Sequence, residues 1–467
     1  MNSDGEGDTR RITQGRTRRF RILVLAGLLL FATGLQVAHV KRFQKLSPID
    51  ELQHLDYLLR APTLDFPGSG DHVLRESAVV ETCSRIESPF DDYVPSCVTD
   101  SAAPVDVTVL QEGGFNTAYI HPPGYYFIDG SITRAAKALV GENLGLLTVG
   151  RLAGLFWVWA AVALLWLAFK EFEASESIAA IGIVLVVTAP TFLSAVSTIN
   201  PDGSAVAVGA AALWAAARWE RTKRGAWMLV VVGAIAVMTK FSNLAGVAIA
   251  LIFILVPAIR PTFRRVRLTG LRSLGSDSDD RQRILLVGIS GLLVAVASIA
   301  LRIGQAIVQV IPPNELPMAA PTIVEHLPAI QIAASWRVGL SPLQAAWFAS
   351  FLQTALVRTL IPIVDFAVIA GAVVGGAIAA VGSRARRLAW CTLGVGVAFG
   401  PAFAMFLYFV QGVTISIPPR YGLSMVPALV VAAIPLLRIR LGFWIGSLLA
   451  SVAAIAAVAA MIHPVVI

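Results

Sequence analysis

Stretches of about twenty apolar residues recur along this chain, and they constrain the fold before anything else does. A helix of that length crosses the hydrocarbon core of a bilayer. In lipid, only a helix or a closed barrel satisfies its own backbone groups. The chain is 56% hydrophobic and only 14% charged, against roughly a quarter charged in soluble domains. The runs predict an all-α polytopic membrane protein of about eleven spans, with ten to twelve as the range. They fall at 20–40, 146–169, 177–199, 203–219, 226–239, 241–259, 284–303, 363–382, 388–410, 421–437 and 441–463. This divides the chain into a basic tail over 1–19, a first transmembrane helix over 20–40, a polar loop over 41–145 and a multi-span domain over 146–467.

The net charge of +8 does not point to nucleic acid, because the basic residues sit in the tail and in short loops between spans. Arg218 to Arg224, Arg260 to Arg283, Ser383 to Arg387 and Arg438 to Arg440 all fall on one side when the spans alternate. By the positive-inside rule that side is cytoplasmic. The N-terminal tail is then cytoplasmic and expected to be mobile, and the protein belongs in the cell (plasma or inner) membrane. The loops 41–145, 304–362 and 411–420 lie outside. The first span has the basic lead of a signal peptide but no small-residue cleavage site after it, so it reads as an uncleaved helix. Ala345 to Leu360 is apolar but short; making it a span would invert Arg384, Arg386 and Arg387, so it reads as re-entrant or interfacial. Within the large outer loop, leucines at 52, 55, 58 and 59 have helical period and predict an amphipathic helix over Glu51–Leu59, the first of two or three lying on the membrane. Cys83 and Cys97 share this loop and read as a disulfide, with two free thiols as the alternative.

Ionisable residues in or beside spans are costly and are functional candidates by default. Here they are Arg151, Asp202, Lys240, Arg302, Arg358, Asp365 and Arg420. All are predicted at outer helix ends, not at the midplane where a coupled transporter would place its relay. Snorkelling of long basic side chains to the headgroups is the alternative for them. Five motifs line up on the same side: Pro48-Ile49-Asp50-Glu51-Leu52-Gln53-His54, His121-Pro122-Pro123-Gly124-Tyr125-Tyr126, Asn200-Pro201-Asp202-Gly203, Thr239-Lys240-Phe241-Ser242-Asn243 and Pro418-Pro419-Arg420-Tyr421. Each has a bland alternative. The acidic cluster is also a solvated helix start that suits the helix dipole. The Pro-rich pieces are also ordinary turns, and Tyr125, Tyr126 and Tyr421 fit an interfacial aromatic belt.

As an ordered set these motifs resemble the GT-C class of integral-membrane glycosyltransferases, nearest a bacterial multi-span branch with a Pro-x-Asp-Glu-x-x-His start and a late Arg-Tyr. The resemblance implies transfer of a sugar from a polyprenyl-phosphate-linked donor to a glycan or glycolipid acceptor on the outer face. By the same likeness Asp50 is the general base, with Glu51 as alternative; His54, about one helical turn beyond Asp50, is placed to orient that carboxylate or to join a metal site. Arg420, Lys240, Arg151 and Tyr421 would hold the donor phosphate, and His121, Tyr125, Asn200 and Asp202 the substrates. The residue types fit that chemistry: an attacking hydroxyl needs a carboxylate, and a departing phosphate needs guanidinium or ammonium. Some relatives use a divalent metal, and the adjacent carboxylates leave that open, with no cofactor fixed. The sequence shows no C-terminal extracytoplasmic domain of the kind better-known members carry, which leaves the acceptor class open. A transporter or flippase of lipid-linked substrates, and a non-catalytic subunit of an envelope-assembly complex, are the competing readings.

Overall fold

A computed structural model of the chain describes residues 4–87, 95–98, 104–141, 144–269, 278–308, 329–344, 355–411 and 417–462. The described residues form an all-helical multi-pass membrane protein with isolated bridges, Leu46 to Ile86 and His72 to Phe115, but no named strand. Helices occupy every segment expected to span, yet the expected count of about eleven is not reproduced. Among the described residues, eight helices are long and apolar enough to cross, or nine if the pair Glu176–Val187 and Pro190–Ser197, bent by 65°, is one span. The bend has a cause, since Pro190 lacks the N–H that would continue the first helix. Of the two remaining segments, Trp227–Thr239 has only 13 residues. Ala205–Thr222 carries Arg218, Glu220 and Arg221 in its last turns. The tail expected to be mobile is helical from Asp4, continuous with the first span to Arg42. Residues 345–354 of the expected re-entrant segment lie outside the described residues, and the helix Ala355–Ile378 takes up the rest.

Ala205–Thr222 is the centre of the bundle. Its alanines leave little side chain between it and its neighbours, so Leu155–Glu171 and the helix beginning at Leu244 pack closely on it. Over 18 residues it rises about 27 Å, near the thickness of a bilayer's hydrocarbon core. At its far end basic residues converge on acids: Glu220 pairs with Arg283, Arg384 and Arg387, and Glu171 with Arg221 and, more loosely, Arg218. At its near end lies Asp202.

The loop between the first two spans is a folded layer. It contains Glu51–Arg60, Arg75–Ser84 and Gly124–Val140. The first of these was expected to lie on the membrane as an amphipathic helix; instead every residue from Glu51 to Leu58 is buried. The reason is Asp56, which sequence reading passed over. Its carboxylate accepts from Arg60 Nε at 2.8 Å, Leu74 N at 2.6 Å, Ser77 Oγ at 2.9 Å and Asn116 Nδ2 at 2.7 Å, drawing three parts of the loop around one buried charge.

Cys83 and Cys97 form a disulfide, with Cα atoms 4.3 Å apart. Closing a loop of this length contributes about 3 kcal/mol on the chain-entropy model. The Cys83→Ser/Cys97→Ser double variant is therefore expected to melt at a lower temperature and to lose its sensitivity to dithiothreitol. An unchanged melting temperature would show that the bridge contributes no stability.

Candidate active site

The five motifs, far apart in sequence, are tied to one another by short polar contacts. The turn Pro201–Ser204 is capped by its own Asn200, whose Oδ1 accepts from Asp202 N at 2.9 Å. The Asn200 backbone N–H donates to the Tyr125 hydroxyl at 3.2 Å, joining the second motif to the third. Asn243 Nδ2 donates to Ser204 Oγ at 3.0 Å and to Thr239 Oγ1 at 2.9 Å, joining the third to the fourth. Ser424 closes the set: its hydroxyl donates to Ser242 O at 3.2 Å and accepts from Gly246 N at 3.2 Å. This approach needs glycine at 209, where a Cβ would overlap the Ser424 carbonyl oxygen.

These ties aim two cations at one buried carboxylate. The helix Trp227–Thr239 ends as Lys240 turns extended (φ −164°, ψ 134°), which throws its side chain toward Asp202. Lys240 Nζ stands 2.6 Å from Asp202 Oδ1, and Arg420 Nε stands 2.9 Å from Oδ2. Asp202 is wholly buried and Lys240 nearly so, while the Arg420 side chain keeps 19% of its exposure. Tyr421 lies beneath both cations, 4.3 Å from Lys240 Nζ and 5.7 Å from the Arg420 guanidinium carbon. Asp202 thus neutralises part of the charge that a buried cation pair would otherwise hold at high cost. The two terminal nitrogens of Arg420 bond to nothing among the described residues and so remain as a free fork.

Asp50 faces this pair. It caps the helix Glu51–Arg60 in the left-handed region (φ 52°), but its side chain makes no capping hydrogen bond. Among the described residues its carboxylate has no hydrogen-bond or ion-pair partner. Burial raises the Asp50 carboxyl above its ordinary value, with Arg420 and then Lys240 pulling the other way. One turn on, His54 is buried; desolvation, then His121 and Lys240, hold its ring neutral, well below the usual histidine value. A 2.7 Å hydrogen bond joins His54 Nδ1 to the Tyr126 hydroxyl, and the His121 ring centre is 5.3 Å from that of His54. Tyr126 in turn stacks on Tyr57 with centroids 4.0 Å apart.

Glu51 and Arg151 have other partners. Arg151 Nε and Nη2 grip Glu51 at 2.8 and 2.6 Å, and its remaining donors reach the Phe43 and Lys45 carbonyl oxygens. Glu51 also accepts from Ser47 N at 2.7 Å and Ile199 N at 3.0 Å. Glu51 accepts four hydrogen bonds and Arg151 spends four of its five donors, so these buried groups chiefly hold each other and the backbone around them. The pair pins the first motif to the second span and to the residue before Asn200. Tyr125 and Asn200, expected to touch substrate, also make structural contacts, the Tyr125 hydroxyl with Asn200 N and Asn200 Oδ1 with Asp202 N. The Tyr125 phenol is buried beside Asp129, whose carboxyl accepts from Trp157 Nε1 at 2.7 Å and is pushed by burial up to about 7. Neither Tyr125 nor Tyr126 belongs to an interfacial belt, since both rings are enclosed.

Asp365, the last of the described carboxylates singled out from the sequence, accepts from Leu343 N at 3.0 Å, away from the five motifs. The side chains of Arg302 and Arg358 lie outside the described residues. Among the described residues, no group of three or more His, Cys, Asp or Glu is arranged to hold a metal ion. Sequence reading missed Tyr57 and Asp129 as supports of the site. It named Tyr126 only as a belt candidate, although the tyrosine pair directly following His121-Pro122-Pro123-Gly124 was a signal.

No protein family model and no curated protein sequence matches the chain. Among solved structures, ArnT from Cupriavidus metallidurans in the apo state is similar at 15% identity, with a TM-score of 0.46 over 92% of this chain and 62% of that one. The structure of the same protein bound to undecaprenyl phosphate gives 15% identity and a TM-score of 0.47 over 91% of this chain and 61% of that one. The chain therefore spans less than two thirds of the length of the solved structures it is similar to.

Proposed function

We propose that this protein is a glycosyltransferase that moves a sugar from a polyprenyl-phosphate-linked donor to an acceptor hydroxyl at the outer face of the membrane. The observation that carries this reading is an unpartnered carboxylate, Asp50, within the electrostatic reach of Arg420 and Lys240, with a free guanidinium fork on Arg420 and the buried His54–Tyr126 pair one helical turn away. Asp50 takes the proton from the acceptor hydroxyl as its oxygen attacks the anomeric carbon. The bond from that carbon to the phosphate oxygen breaks, and the phosphate leaves on its lipid. Arg420 and Lys240 receive the charge, which grows on the phosphate as the bond lengthens; such aimed donors stabilise the transition state more than the ground state. His54, neutral and braced by Tyr126, together with His121, lines the side on which the sugar and acceptor hydroxyls sit.

Purified protein incubated with a panel of radiolabelled polyprenyl-phosphate sugars and a membrane extract is expected to transfer label to a glycan or glycolipid. Loss of that transfer in Asp50→Asn would support the reading. Transfer by none of the donors, or transfer indifferent to Asp50, would reject it. Arg420→Ala is expected to weaken donor binding by roughly 1.5–3 kcal/mol, the usual worth of a charge-assisted hydrogen bond. Asp202 keeps Lys240 as partner in that variant, so folding should survive. Arg420→Lys should recover only part of the loss, because an ammonium cannot reproduce a bidentate fork. Equilibrium binding of a labelled polyprenyl phosphate measures both, and full binding in both variants would move the phosphate elsewhere.

A further inference from the structure

The mechanism above leaves one wholly buried acid unused. Asp129 lies on the helix Gly124–Val140 and is in no ion pair among the described residues. Its Oδ1 accepts from Trp157 Nε1 at 2.7 Å, while its Oδ2 has no hydrogen bond among the described residues. A buried carboxyl oxygen without a donor is costly. One turn earlier on the same helix, Tyr125 has the complementary loose end. Its hydroxyl oxygen accepts from Asn200 N at 3.2 Å, so in this enclosed place its own proton needs an acceptor elsewhere. Residues four apart on a helix are neighbours, and these two act on one another as phenol donor and carboxyl acceptor.

Tyr125 holds the backbone just before Asp202. Two side chains grip that backbone: Ile199 N donates to Glu51 at 3.0 Å, and Asn200 N donates to Tyr125. Glu51 is itself fixed by Arg151. Tyr125 needs a fixing group of its own. Its helix also abuts the segment that ends in Lys240, since a Cβ at Gly124 would lie 2.6 Å from Met238 O. Beside Asp129, a Cβ at Gly130 would overlap Leu58 O, so the helix is closely seated there too. We propose that Asp129 is a positioning residue for the two donor-phosphate cations. It accepts the Tyr125 proton, aims the phenol oxygen at Asn200 N and so steadies the turn that presents Asp202 to Lys240 and Arg420. The inference rests on the transferase reading for the use of those cations, but not for the hydrogen-bond chain itself.

Amide hydrogen exchange read by mass spectrometry, on the full-length protein in detergent, tests the chain without donor or transfer. Asp129→Asn keeps the side-chain shape and an oxygen for Trp157, but sets an amide N–H where Tyr125 needs an acceptor. Tyr125→Phe removes the hydroxyl, keeps the ring and carries the test if the asparagine variant folds poorly. In each, exchange at Asn200 and Asp202 is expected to quicken by about two- to tenfold, the worth of one net hydrogen bond. The double variant should quicken it no further, because both changes cut one chain. Binding of a labelled polyprenyl phosphate should weaken by a similar factor. Thr133→Ala loses a buried hydrogen bond one turn beyond Asp129 but outside the chain, so exchange there should match the parent. Unchanged exchange in the folded single variants, additive effects in the double, or equal quickening in Thr133→Ala would overturn the proposal. Quickened exchange with donor binding at full strength would overturn the link to the cations. Quickened exchange in a protein whose parent binds no polyprenyl phosphate would leave the chain standing and reject the transferase reading alone.

Discussion

Asp50→Asn is expected to cut sugar transfer by about 10²- to 10⁴-fold, the range typical of removing a general base, while leaving the protein folded and donor binding intact. Asparagine keeps the shape of the side chain and tolerates the left-handed backbone at φ 52° at least as well as aspartate. What disappears is the proton acceptor. The effect should therefore fall on kcat, with little change in the equilibrium binding of a labelled polyprenyl phosphate. The parent protein should also lose transfer as the pH drops through the Asp50 value, which burial lifts above that of an ordinary aspartate. The sign follows from its role: the base works only when deprotonated, so raising its proton affinity moves the acid limb of the rate profile toward neutral pH. Retention of more than about a tenth of the rate in Asp50→Asn would remove Asp50 from the base role. An acid limb at the pH of an exposed aspartate would contradict the desolvated setting.

Arg151→Met is expected to fail by a different route. It leaves Glu51, 1% exposed, buried without its counter-ion. Breaking one side of a buried, hydrogen-bonded pair costs about 3–5 kcal/mol, because the remaining charge is uncompensated. A membrane protein of ordinary stability should then show a large drop in melting temperature and in yield. The double variant Arg151→Met/Glu51→Met should be less destabilised than Arg151→Met alone, since no unpaired charge remains. Were Arg151 a phosphate ligand, Arg151→Met would instead fold normally and lose donor affinity. Melting curves of the single and double variants, set beside donor binding, separate these outcomes.

The contrast between Asp50 and Glu51 marks the limit of what adjacency in a sequence conveys. Both are acids at the end of the first span, and both suit a catalytic role by residue type. A helix start turns neighbouring side chains about 100° apart, so Asp50 lies in reach of Arg420 and Lys240 while Glu51 turns to Arg151 of the second span. Which one does so depends on where Arg151 and Ile199 stand, a hundred and more residues away. Arg420 and Lys240 show the reverse case. Their type and their position at helix ends were legible, but their common anchor was not. Asp202 was expected among the substrate contacts, whereas its carboxylate is spent holding the two cations at 2.9 and 2.6 Å.

The membrane architecture was accessible from the sequence because it follows from local quantities. Apolar run length gives helices, basic short loops give a consistent side, and a polar stretch without a run gives the loop between the first two spans. The number of full crossings was less accessible. Trp227–Thr239 is only 13 residues long as a helix, and Ala205–Thr222 carries three charged residues in its last turns, so the helix boundaries and not the apolar runs set the count. The folded layer between the first two spans rests on Asp56 gathering donors from residues up to 60 positions away, and such long-range hydrogen bonds leave no periodic trace. The sequence alone determined that helices would span a membrane and that cations, acids and histidines would gather near their ends. Only the tertiary structure decided which of those charges neutralise one another and which stay free for chemistry, because a buried charge takes its role from the partners that folding brings within about 3 Å.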